Sequence, residues 1–207
     1  MKRLLQLFRS DQRGVVALEF VILAPAAMIT LIAAVALYTY LRSTTELDRV
    51  TFTIGNLVTQ QASLIDDSTD TNTGDLGVYW NLAPMVGSPL DMKANGTVII
   101  TDIYDSCTGT CSVPTKSVGW QRSTAGLAGW TRTDGSKIAP NGVLASLPSA
   151  LPFNVGDSVM VIEVYYHYTP WSALNLLWKN APSSSTPLYD VMFIHPRYGN
   201  PNPLQPG

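Results

Sequence analysis

One carboxylate interrupts a stretch of chain otherwise built for hydrocarbon. The run Val15 to Tyr40 (VVALEFVILAPAAMITLIAAVALYTY) has 26 residues, and Glu19 is its only charge. As a helix rising 1.5 Å per residue it would reach about 39 Å, more than the ~30 Å hydrocarbon core of a bilayer. A membrane span is therefore predicted over residues 15–41. A carboxylate at the centre of such a span costs about 2.5–3.5 kcal/mol on insertion scales, and less near an end. A residue that costly needs a partner and a purpose.

The flanking charges give the span a direction. Lys2, Arg3, Arg9 and Arg13 precede it against one acid, Asp11, whereas Arg42, Glu46, Asp48 and Arg49 follow it and balance. The excess of basic residues keeps the N-terminus in the cytoplasm and sends the rest of the chain across. Three kinds of segment share this layout. A secretory signal peptide has a shorter apolar region and a clear small-residue exit site. A plain signal anchor fits the length and the orientation but leaves Glu19 unexplained. A prepilin-type signal keeps its basic leader inside and is cut after a glycine at the cytoplasmic face. In Gly14-Val15-Val16-Ala17-Leu18-Glu19-Phe20, a cut after Gly14 makes the glutamate the fifth residue of the mature chain. The cut also creates an α-amine on Val15, a cation that a neighbouring chain's Glu19 can neutralise. As a pair the two charges offset much of their desolvation cost, whereas either alone is expensive in hydrocarbon.

These residues resemble a type IV prepilin. Pro25 narrows the resemblance, because Glu19-Phe20-Val21-Ile22-Leu23-Ala24-Pro25 looks like the opening of the TadE-like pseudopilins of tight-adherence (Flp) pilus systems. Pro25 also reads as a simple kink of a membrane helix. Near the C-terminus, Asp157 to Trp171 (DSVMVIEVYYHYTPW) resembles that family's late strand. His195-Pro196-Arg197 stands where the family has R-P-R, a departure at the first position. The middle of the chain is divergent. Major Flp pilins are much shorter, and TadG-like proteins are usually longer and lack the glutamate, so the resemblance is to a minor pseudopilin. It implies a leader (residues 1–14) removed between Gly14 and Val15, with Glu19, Phe20 and Pro25 serving helix assembly. It further implies a single-pass bacterial inner-membrane protein with a periplasmic C-terminal domain. The partners implied are a prepilin peptidase, other pilins and pseudopilins, and the inner-membrane assembly platform with its ATPase.

Composition supports an extracytoplasmic domain. Charged residues make up 14% of the chain, against about 25% in soluble proteins, and Thr, Ser, Gly, Pro and Asn dominate the remainder. Removing the leader's four basic residues and one acid would take the net charge from −2 to −5. No basic domain exists to track nucleic acid. In an oxidising compartment, Cys107 and Cys111 (CTGTC) are expected to form a disulfide, with free thiols as the alternative. Closing so short a loop is worth about 2 kcal/mol in the chain-entropy picture. A metal would lack ligands there, since His167 and His195 lie far away in sequence.

Periodicity predicts an α+β fold. Leu47, Val50, Ile54, Leu57, Val58, Gln61 and Ile65 recur at three and four residues, so an amphipathic stalk helix over 42–65 should continue the membrane span. Residues 66–77 (DDSTDTNTGDLG) read as a solvated loop whose acids do not match an EF-hand. Strands are predicted at Thr97 to Tyr104, Ser117 to Arg122, Ser158 to Tyr168 and Leu188 to Ile194. They make a small antiparallel sheet on the stalk, within a β-rich domain over 66–200. Pro201, Pro203 and Pro206 mark a loose tail over 201–207. Along the strongest strand, Met160, Ile162, Val164, Tyr166 and Tyr168 form the better core face. Glu163 and His167 share the other, wetter face about 13 Å apart, too far for an acid/base pair.

Two functions follow. The first is a structural assembly subunit. The second is a signal-anchored surface or pilus-tip adhesin with an aromatic ligand surface, drawn from Trp80, Trp120, Trp130, Trp171 and Trp178 and the apolar patch Leu174 to Trp178. Packing is the expected role of the tryptophans. The chain has no G-x-S-x-G elbow and no clustered metal ligands, so neither enzymatic activity nor a cofactor is expected.

Overall fold

The computed structural model describes residues 13–145, 147–149, 151–169, 185–198 and 204–206. The chain divides into two compact units, Met1–Leu41 and Arg42–Gly207. One helix, α1 (Arg13–Val58), contributes to both and runs through Pro25. No stop signal separates the apolar and amphipathic parts of the sequence, which is why the helix does not break between them. Its threonines add no loose polar groups in the apolar part: Thr30 Oγ1 donates to the Ala26 carbonyl at 2.9 Å and Thr39 Oγ1 to that of Val35 at 3.1 Å.

In the second unit, α1 buries Leu47, Val50, Ile54 and Val58, the spacing predicted for the stalk. The helix stops at Val58, seven residues short of the predicted Ile65. Beyond Val58 only Gln61 and Ile65 continue the spacing, and Leu64 is buried in their place. The Thr59 carbonyl instead accepts the Arg197 N–H at 3.0 Å. Ile65–Asp66 forms a short strand β1, paired in parallel with β6 (Gln205–Pro206). The end of the proline-rich tail is thus tied to the domain, contrary to the expectation of a loose terminus; Pro201 and Pro203 lie outside the described residues.

Two helices stand in the region expected to be β-rich. They are α2 (Leu76–Val86) and α3 (Met92–Asn95). Leu76, Tyr79, Trp80 and Ala83 lie on one buried face of α2, spaced by three and four. Gly77 lets α2 start close under the preceding loop, since a Cβ there would collide with the Ser68 and Thr69 carbonyls. That loop is not simply solvated either. Asp75 is fully buried and accepts the Asn72 N–H at 2.6 Å. Asp66 is forked onto Arg122, whose Nε lies 2.8 and 3.0 Å from its two oxygens, and this holds the Asp66 carboxyl below its usual range.

The four predicted strands are all present: β2 (Gly96–Asp105), β3 (Lys116–Ser123), β4 (Ser158–Tyr168) and β5 (Thr186–Ile194). They form an antiparallel sheet in the order β3-β2-β4-β5, with Ile162 opposite Ile100 on one side and Met192 on the other. Its first face packs Val98, Ile100, Met160, Ile162 and Val164 against α1 and α2. Gly55 sets the distance between layers, because a Cβ there would stand 3.0 Å from Ile194 Cδ1 and 3.2 Å from Met192 Sδ.

The second face is not wet. Ile103, Val159 and Val161 pack there beneath Phe153, Ile138, Leu144 and Leu151 from the long β3–β4 connection. Alternation along β4 identified which residues share a face, but not that a distant loop would cover the polar one.

Candidate functional site

The apolar part of α1 is the most unusual surface of the molecule. From Phe20 to Leu41 its large side chains point outward: Phe20 is 71% exposed, Ile29 68% and Leu37 60%. Apolar residues face every direction around the helix, as they do where lipid or other helices cover it. The helix is long and apolar enough to cross a membrane. Glu19 is exposed on this surface, and Pro25 lies within the same helix. Gly14 and Val15 belong to the first turn of α1, so the proposed cleavage point and Glu19 lie on one helical segment. Four residues at 1.5 Å each place Glu19 about 6 Å along the axis from Val15. Residues 1–12 of the leader lie outside the described residues.

A second concentration of polar groups sits under the loop that covers the sheet. Glu163 has no exposed surface. It accepts hydrogen bonds from Ser136 Oγ, from the Lys137 N–H at 2.8 Å and from Tyr189 Oη at 3.0 Å. Lys137 Nζ lies 3.9 Å from the centre of the Tyr189 ring, which packs against Tyr165 at 4.8 Å. Burial and the nearby Glu163 charge raise both tyrosine hydroxyls above their usual range. His167 belongs to a different group. Its Nε2 is 2.8 Å from Asp134 Oδ1, and Thr97 Oγ1 donates to Asp134 Oδ2 at 2.8 Å. Glu163 and His167 thus each have partners of their own. What this arrangement does chemically is pin the β3–β4 connection to the sheet, since Ser136, Lys137 and Asp134 all come from it. The alternating pattern could not reveal these partners, which lie 26 to 33 residues away in sequence.

Asp102 is a buried acid without a partner among the described residues. Asp102 faces the α1 side of the sheet, opposite Met160 on β4 and Trp120 on β3. Among the described residues neither of its oxygens is hydrogen-bonded, and burial pushes its carboxyl up to about 7.

Cys107 and Cys111 are joined in a disulfide, with Cα atoms 6.3 Å apart. Asp105 braces this hairpin tip by accepting the N–H groups of Gly156 at 2.9 Å, Thr115 at 2.7 Å and Cys107 at 3.1 Å, which lower its pKa. Trp80 and Trp120 are buried in the main core and Trp130 packs against it. All three pack in or on the core, and Trp80 and Trp130 also line a small cavity of about 120 Å³ beside Lys93 and Leu127. Trp171, Trp178 and the patch around Leu174 lie outside the described residues.

The chain matches no family model, no curated protein and no solved structure.

Proposed function

We propose that this protein is a TadE-like pseudopilin, processed by a prepilin peptidase and taking part in the assembly of tight-adherence pili. One observation carries the reading. Glu19 is the only charge in Val15 to Tyr40, on a helix otherwise exposing apolar side chains, five residues after a glycine that follows a basic leader. Cleavage after Gly14 puts a cationic amine at the positive end of the helix macrodipole, where a carboxylate is doubly favoured. A neighbouring helix displaced along the axis by about 6 Å sets its Glu19 level with that amine. The pair then enters hydrocarbon nearly neutral. In this reading the helix lies in the bacterial inner membrane and the second unit in the periplasm. The partners are the peptidase, other pilins or pseudopilins and the inner-membrane assembly platform.

The test separates processing from assembly. Glu19→Ala should leave cleavage after Gly14 largely intact and abolish co-assembly with other pilins, measured by crosslinking in membranes. Glu19→Asp keeps the charge and should retain part of the assembly. Full assembly of the alanine variant contradicts the charge-pairing role.

A further inference from the structure

The free side of β5 and the helix beside it form an open groove. Strand β5 ends the sheet, and among the described residues no strand pairs with its outer side. An edge of this kind presents unpaired N–H and C=O groups, the template on which another strand forms. Along it runs a cavity of about 510 Å³, lined by Asp48, Arg49 and Phe52 of α1 and by Asp190 and Met192 of β5. Phe52 is 60% exposed, although its helix neighbours Val50 and Ile54 are buried in the core.

The charges in the groove are unbalanced. Burial and the adjacent Asp190 charge together hold the Asp48 carboxyl above its usual range. The cation on the rim, Arg49, is turned to Glu46 at 3.6 Å. Two carboxylates therefore share the groove, and among the described residues no ion pair reaches either.

We propose that β5 accepts an extended segment of a partner protein as a fifth strand, and that this segment places a lysine or arginine between Asp48 and Asp190. Side chains alternate along a strand, so Asp190 and Met192 share one side of β5. A segment pairing there carries its basic residue two positions from an apolar one. The base lies over the two acids, and the apolar side chain lies on Phe52 and Met192. Backbone hydrogen bonds supply the affinity and these two side chains supply the selectivity. The surface goes beyond the pilus-assembly reading and stands whether or not Gly14 is cut.

The probe is a nine-residue peptide, capped at both ends, alternating threonine and valine around one central lysine. It is titrated into the full chain in detergent micelles, and amide hydrogen exchange is followed along β5. Binding should slow exchange of the β5 amides. The double variant Asp48→Asn, Asp190→Asn should bind at least tenfold more weakly while its circular dichroism stays unchanged. Phe52→Ser alters an exposed side chain and should weaken binding severalfold, which keeps the test open if the double variant misfolds. A peptide with glutamate at the centre should bind the unaltered chain at least tenfold more weakly. Equal binding of the lysine and glutamate peptides, or peptide binding that leaves β5 exchange unchanged, overturns the proposal. Protection of β5 that grows with protein concentration and needs no peptide assigns the edge to a second copy of this chain, and also overturns it.

Discussion

Glu19 and Glu163 are the same residue type in opposite surroundings. Glu163 is fully buried, and the chain that buries it also supplies its donors: Ser136, the Lys137 N–H and the Tyr189 hydroxyl. Glu19 is exposed on a helix whose neighbours, such as Phe20 and Leu23, carry no donor to offer it. A carboxylate taken from water needs compensation from somewhere. Around Glu163 the fold provides it. On a helix that exposes apolar side chains on every side, the proposed source is another chain. Glu163 should therefore register in stability, and Glu19 in assembly.

Substitution at Glu163 should have the largest effect on folding. Glu163→Ala strips buried donors of their acceptor, and each buried donor left unsatisfied costs about 1–3 kcal/mol. Denaturant unfolding of the full chain in micelles should show this loss, whereas Glu19→Ala should change the domain's stability by less than about 0.5 kcal/mol. A stable Glu163→Ala protein would break the comparison.

Asp102 sharpens it, as a buried acid without a partner among the described residues. Its carboxyl is raised to about 7 in the folded chain, above the ordinary value of 3.8. The folded state thus holds the proton more tightly than the unfolded one. That contribution is complete below about pH 4 and is lost as pH rises through about 7, up to about 4 kcal/mol in all. Asp102→Asn should remove this decline between pH 4 and pH 7. An unchanged pH profile in that variant would contradict the assignment. Opening the Cys107–Cys111 loop, by Cys107→Ser with Cys111→Ser, should lower stability by about 2 kcal/mol. Because Asp105 braces the loop through the N–H groups of Gly156, Thr115 and Cys107, and Glu19 belongs to the other compact unit, its loss should leave assembly intact.

The sequence displayed the molecule unevenly, for physical reasons. The four strands were legible because each carries a β-rich run bounded by turns. The buried half of α1 was legible because Leu47, Val50 and Ile54 keep helical spacing. Helix α2 is hard to see in the sequence because Pro84 lies inside it and Gly77 and Gly87 stand at its ends, although Leu76, Tyr79, Trp80 and Ala83 carry its spacing. The covered face of β4 was missed for a different reason. Period-two alternation reports which residues share a face, whereas the donors to Glu163 come from a loop that no local pattern connects to the strand. Glu19 was legible because an isolated charge in an apolar run needs no tertiary information to stand out.

The central claim is that Glu19 is matched by an amine that exists only after Gly14 is cut. Intact-mass analysis of the chain, expressed with and without a cognate prepilin peptidase, tests it most directly. With the peptidase present, the mature protein should begin at Val15, lighter by the fourteen-residue leader. A chain that keeps Met1 in the presence of an active cognate peptidase would contradict the claim and leave α1 a plain signal anchor.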